Sequence, residues 1–225
     1  MTIDIDAPIR PSGQRSRRTI ESTAVNDALT RGETIVLWDD ERAWLGYAAD
    51  TATTAQTAFV IRHTAGFLQI ALPSPACDRH LIPLTPALPS RPSAQGYQQC
   101  IGIDAAQGVT TGISAADRAR TARVLADPHT DPGDLVRPGH LVVVAVDPDY
   151  SGKRAVPRLA LRLDASGHGG LVFAELVSGN RPHTMADKHD AVSFALAHQL
   201  RIYAGATTPG ASLDAPYQTY PPAVH

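Results

Sequence analysis

The segment Gly108-Val109-Thr110-Thr111-Gly112-Ile113-Ser114-Ala115-Ala116-Asp117-Arg118 carries most of the chemistry that can be read from this chain. Two glycines bracket a Val-Thr-Thr triplet, and a run of small residues leads into an Asp-Arg pair. Glycines allow close backbone approach to a ligand, and hydroxyls with a guanidinium suit an oxyanion. The same composition also makes ordinary turns, and Asp117-Arg118 could equally be an internal ion pair. Downstream, His140 closes Arg137-Pro138-Gly139-His140; it is either an acid–base group, since histidine titrates near neutrality, or a hydrogen-bonded turn residue. Glu175 stands in the apolar run Leu171-Val172-Phe173-Ala174-Glu175-Leu176. An unpaired carboxylate is costly to bury there, so it is either the partner of a core arginine or an acid with a raised pKa.

These groups need a frame, and the hydrophobic pattern predicts one. Helices are expected over 19–31, 54–64, 114–126 and 187–199, by spacing of apolar residues. Strands are expected at Thr34–Trp38, Phe67–Leu72, Cys100–Asp104, Leu141–Val146, Leu171–Leu176 and Arg201–Tyr203. Arg137–His140 is read as closing a helical stretch, and the proline-rich segment from Pro73 to Ser93 as a long irregular connection. Alternating strands and helices indicate an α/β class, an α+β sandwich with a mixed sheet. Residues 1–18 read as a flexible arm, 19–206 as one domain and 207–225 as an irregular tail.

Composition excludes several classes. The 225 residues are 43% hydrophobic, enough for one good core, and the net charge of -2 offers no basic footprint for nucleic acid. Arg15, Arg17 and Arg18 cluster in the arm and read as solvated. Cys77 and Cys100 are the only cysteines, too few for a disulfide scaffold or a structural zinc site, so a cytoplasmic setting is expected. No apolar run reaches the roughly 20 residues that span a bilayer.

The Thr-Thr loop, Arg62-His63, Arg137-Pro138-Gly139-His140 and Ala174-Glu175-Leu176 together resemble the 3,4-dihydroxy-2-butanone 4-phosphate synthase family, from about Thr19 to Ala204. That resemblance implies the family fold and a homodimer with sites at the subunit interface. It also implies a reaction, ribulose 5-phosphate to a four-carbon ketone phosphate plus formate, assisted by magnesium. The family's acidic loop reads Asp-Asp-Glu-Asp-Arg-Glu-Asn-Glu-Gly-Asp. Arg42 and Gly46 fix its register on Trp38-Asp39-Asp40-Glu41-Arg42-Ala43-Trp44-Leu45-Gly46-Tyr47. The metal-binding glutamate then falls on Ala43, and two further acidic positions on Leu45 and Tyr47. The second metal ligand belongs to an Arg-Gly-Gly-His-Thr-Glu-Ala motif. Matching its arginine to Arg158 puts Gly-Gly-His on Leu159-Ala160-Leu161, with roughly seven residues, two helical turns, missing before the Leu171 strand. His168 is a candidate displaced ligand.

Three carboxylates and a histidine are thus replaced, and magnesium requires hard oxygen ligands. The expectation is a diverged, metal-independent lyase or isomerase with no cofactor, acting on a less polar small molecule in a specialised biosynthetic pathway. In that reading His140 and Glu175, with Arg42, are catalytic. Asp39, Arg62, His63, Thr110, Thr111, Asp117, Arg118 and Arg158 bind substrate, and Trp44, Leu45 and Tyr47 form an apolar pocket wall. The rival readings are a non-catalytic ligand-binding homologue and an authentic enzyme of riboflavin biosynthesis.

Overall fold

A computed structural model describes residues 24–39, 42–86 and 96–205. The expected arm, the tail from residue 207, and Asp40 and Glu41 lie outside the described residues. A seven-stranded mixed sheet organises the fold. Its strands are β1 (Ile35–Trp38), β2 (Ala43–Ala48), β3 (Gln69–Pro73), β4 (Gln98–Ala105), β5 (Leu135–Val146), β6 (Leu171–Glu175) and β7 (Arg201–Ala204), in the order β4-β5-β3-β6-β2-β1-β7. Parallel pairs (β1·β7, β3·β5) sit among antiparallel ones (β1·β2, β2·β6, β3·β6, β4·β5).

Helices cover both faces of this sheet. On one side lie α2 (Thr54–His63), α3 (Ser74–Arg79), α4 (Ala115–Ala126) and α6 (Lys188–Ala197), packed on Leu45, Tyr47, Ile70, Leu72, Val143 and Val172. On the other, a helix over residues 24–30 (α1) and α5 (Ala155–Ala165) pack on Ile35, Leu37, Trp44, Ala71, Leu171 and Phe173. A strand buried on both faces needs apolar residues at every position rather than at alternate ones. That is what Ala-Trp-Leu-Gly-Tyr-Ala in β2 supplies, and all six residues are buried. Gly46 is there for space, since a Cβ would lie 2.6 Å from Leu37 Cδ1 and 3.1 Å from Leu171 Cδ1.

Four elements depart from the sequence expectation. β2 begins directly after Arg42 and absorbs what reads as the end of an acidic loop. α3 interrupts the proline-rich connection, because a proline at the start of a helix lacks only an N–H that would have no intrahelical partner. α5 occupies the region matched to the family's Arg-Gly-Gly-His motif, for which no element was expected. Its buried residues Ala155, Val156, Leu159, Ala160 and Leu163 recur with helical spacing, and Pro157 falls in the first turn, where it is tolerated. Arg137–His140 closes no helix. It lies within β5, and the β4–β5 register shifts where Gly139 presses on the Ile103–Asp104 backbone. Among the described residues no helix is long and apolar enough to cross a membrane.

Trp44 is 5% exposed and belongs to the α5-side core. Trp44→Ala should therefore cost about 3–5 kcal/mol of folding stability, read from urea denaturation, as expected for emptying a large core site.

Candidate active site

Two groups of polar residues form where the strands end. In the first, the β1–β2 connection places Asp39 beside Arg42, the Asp39 N–H donating to the Arg42 carbonyl at 3.1 Å. The antiparallel β2–β6 register sets Trp44 opposite Glu175, so Arg42, two residues before Trp44, reaches across the ladder. Its Nη1 donates to Glu175 Oε1 at 2.8 Å. A second arginine, Arg154, caps the start of α5 and pairs through Nη1 with Asp39 Oδ1 at 3.4 Å. Tyr97 senses all four charges. Burial first, and then Glu175, push its phenol up to about 12, so it remains a neutral donor at neutral pH.

Arg154 is held from behind. Its N–H donates to Tyr150 Oη at 3.1 Å. The Tyr150 ring occupies space that a side chain at Gly96 or at Gly152 would claim, so both positions must lack a Cβ. Gly205, whose N–H donates to the Trp38 carbonyl at 2.7 Å, lies against Lys153 and Ala155 at the same helix end.

The second group surrounds His140. Asp104, at the end of β4, accepts from the His140 N–H through Oδ1 at 2.9 Å, and its Oδ2 lies 2.7 Å from the ring Nδ1. The imidazole side chain is 44% exposed against 11% for the carboxylate. A buried carboxylate thus orients an accessible histidine and fixes which ring nitrogen faces outward. Gly112, at φ +86°, lies on this pair, and any side chain there would strike Asp104 and His140. The preceding loop is tied by Asp117, which accepts from the Thr110 N–H (3.1 Å), Thr110 Oγ1 (2.8 Å) and the Gly112 N–H (3.0 Å). Thr111 is exposed beside it. Arg118 is buried, donates to the Gly66 carbonyl at 3.2 Å, and lies among Tyr47 and Asp104.

Several expected roles change with this geometry. His140 and Glu175 are not a contacting acid–base pair. Each has its own partner, Asp104 and Arg42, and they stand at the same end of the sheet on β5 and β6, two strand spacings or about 10 Å apart. Trp44, Leu45 and Tyr47 form no pocket wall. They are core residues on alternate faces of β2, with the Tyr47 hydroxyl bonded to Thr57 at 2.8 Å. His63 packs with Phe59, Phe194 and His198 between α2 and α6, and Arg62 is an exposed residue on α2. Asp117 spends its carboxylate on the loop rather than on a ligand. Arg158 is exposed on α5, one turn beyond Arg154, while Leu159 and Ala160 are core. His168 ties its turn to Asp50 at 2.8 Å and to Thr30 at 3.3 Å and is no displaced ligand. Arg154, Tyr97 and Asp104 are the members that sequence reasoning missed. The seven residues that seemed absent before Leu171 were the available signal: sliding the Arg-Gly-Gly-His match back by that amount moves it from Arg158–Leu161 to Ser151-Gly152-Lys153-Arg154, just before α5.

Residues 23–207 match the sequence pattern of 3,4-dihydroxy-2-butanone 4-phosphate synthase. The chain belongs to the 3,4-dihydroxy-2-butanone 4-phosphate synthase family. It is 36% identical over 192 residues to riboflavin biosynthesis protein RibBA of Nocardia farcinica, a match covering 82% of this chain and 45% of that protein. It is 42% identical over 118 residues to RibBA of Salinispora arenicola, covering 51% of this chain and 28% of that protein. The chain therefore spans less than half the length of these curated relatives. Among solved structures, the dihydroxybutanone phosphate synthase of Candida albicans superposes with a TM-score of 0.70 at 29% identity, covering 81% of this chain and 92% of that one. A synthase in complex with two magnesium ions superposes at 0.71 and 27% identity, again over 81% and 92%.

Magnesium does not fit the two matched ligand positions in this family member. Ala43 has no donor atom and is buried in the core, and at the other position Arg154 presents a positive charge. The Thr-Thr loop shared with the family makes a sharper prediction. The Thr110 hydroxyl, followed by the backbone N–H groups, holds the Asp117 carboxyl below the usual carboxylate range. A depressed folded-state pKa contributes stability above the unfolded value and loses it only as pH falls through the lowered one. The amides of Thr110 and Gly112 should therefore keep their exchange protection below the usual carboxylate range. Asp117→Asn should weaken that protection at neutral pH and remove its acid dependence, both measured by NMR hydrogen exchange.

Proposed function

We propose that this chain is a lyase working on the family's substrate class, a phosphorylated ketose, with ribulose 5-phosphate cleaved to the butanone phosphate and formate, and that it does so without a bound metal. The observation that carries this reading is the Asp104–His140 dyad, set under the Thr-Thr loop. A histidine oriented by a buried carboxylate through Nδ1 has Nε2 free to take a proton from carbon next to a carbonyl. Arg42 and Glu175 supply a charge partner and a proton relay at the substrate oxygens, and Thr111 with the loop backbone suits its phosphate. The expected apolar remodelling of the pocket loses its basis, because Trp44, Leu45 and Tyr47 lie in the core. A polar, phosphorylated substrate suits the groups that remain.

A homodimer, with each site drawing on both copies, completes this reading. Phe67, Ile113 and Val136 stand exposed (53%, 57% and 47%); Ile113 belongs to the loop that covers the dyad and Val136 to the strand that carries His140. Sedimentation should give twice the monomer mass.

Formate release from ribulose 5-phosphate, followed with a formate dehydrogenase couple, tests the reaction. Release is expected in the presence of a chelator. His140→Ala should reduce turnover about 10²–10⁴-fold, the range for loss of a general base. A chain that binds the sugar phosphate but releases no formate would instead be a non-catalytic homologue.

A further inference from the structure

We infer that Arg154 is the cation of this site: its guanidinium takes the place of a divalent metal and holds the substrate oxygen that becomes negative during reaction. That guanidinium acts on Tyr97, as that of Arg42 does. The inference deepens the proposed lyase reading and rests on it for the identity of the substrate.

Charge is the first argument. Asp39 and Glu175 are the two carboxylates the structure describes at this end of β1 and β6, and each carries an arginine, Arg154 at 3.4 Å and Arg42 at 2.8 Å. A divalent ion entering here would have to strip both guanidinium groups from their carboxylates, or sit beside two like charges. Over about 4 Å each such repulsion amounts to several kcal/mol at the effective dielectric of a protein surface. Register is the second argument. Arg154 occupies the position of the metal-ligating histidine and Ala43 that of the metal-ligating glutamate, so one ligand is deleted and the other replaced by a fixed positive charge.

Construction is the third. Arg154 is not a loosely placed surface arginine. Tyr150 takes its backbone N–H, Gly96 and Gly152 make room for that ring, and Gly205 closes on the helix start, so the backbone that carries the guanidinium is fixed while the guanidinium itself pairs with the buried Asp39. Guanidinium is always charged and presents several N–H donors in one plane. While one Nη bonds Asp39, the group as a whole can still face an enediolate oxygen, as an oxyanion hole does. Its positive charge needs no metal and no change of protonation.

Two measurements test the inference separately from turnover. Titration with Mn²⁺, followed by electron paramagnetic resonance, should show no stoichiometric site in the wild-type chain. Stoichiometric Mn²⁺ binding by the wild type, or formate release abolished by a chelator, would overturn the inference. Calorimetric binding of ribulose 5-phosphate is the second readout. Arg154→Met should weaken it at least tenfold and Arg154→Lys should recover part of the loss, with circular dichroism showing both variants folded at the assay temperature. Binding unchanged in Arg154→Met would also overturn it. Absent formate release, together with the expected Mn²⁺ and binding results, would sink the lyase reading and leave the resident cation standing.

Discussion

The antiparallel register between β2 and β6 is the constraint on which the rest depends. It places Trp44 opposite Glu175 and Ala48 opposite Leu171. Side chains alternate along a strand, so a slip of one residue would turn Leu45 and Tyr47 out of one core layer and Trp44 out of the other. It would also draw Arg42 away from Glu175. One ladder thus sets the packing of both faces and the first ion pair of the site. Gly46 polices it, because only a residue without a Cβ passes between Leu37 and Leu171.

Around that ladder the polar residues divide their labour. Asp117 and Arg137 serve the backbone, Asp117 by tying the Thr-Thr loop and Arg137 by donating to the carbonyls of His80, Leu81, Pro132 and Leu135. Asp104 serves another side chain by steering His140. Among the described residues, Thr111, His140 and the Arg42, Arg154 and Glu175 set are then the groups proposed to meet a ligand. Much of what looks like binding chemistry in the sequence is the framework that keeps a small number of reactive atoms in place.

The α/β class and most elements could be read from hydrophobic spacing, and α2, α4 and α6 fall within a residue or two of expectation. The Thr-Thr loop and Arg137–His140 were legible as contiguous family motifs, and the Thr-Thr loop is also held locally, by Asp117. What could not be read was long-range. That Trp44, Leu45 and Tyr47 are core follows from β2 being sandwiched between two helical layers, and an apolar replacement of acidic residues looks the same whether it lines a pocket or fills a core. Arg154 escaped notice because its motif match was anchored on Arg158, and the start of α5 confirms what the seven leftover residues before Leu171 signalled. Asp104 is a lone aspartate after a strand, and its partner lies 36 residues away.

The contact of Gly205 with the start of α5 bears on how the protein is made. Synthesis as far as residue 200 supplies all four members of the Asp39, Arg42, Arg154 and Glu175 set. The strand that closes on Trp38 and lies against Lys153 is still to come, since β7 runs from Arg201 to Ala204. Domains fold largely as units during synthesis. A chain that stops short of β7 therefore carries a nearly finished sheet whose charged end is not yet aligned, and the site is assembled when β7 pairs with β1 rather than as its parts emerge.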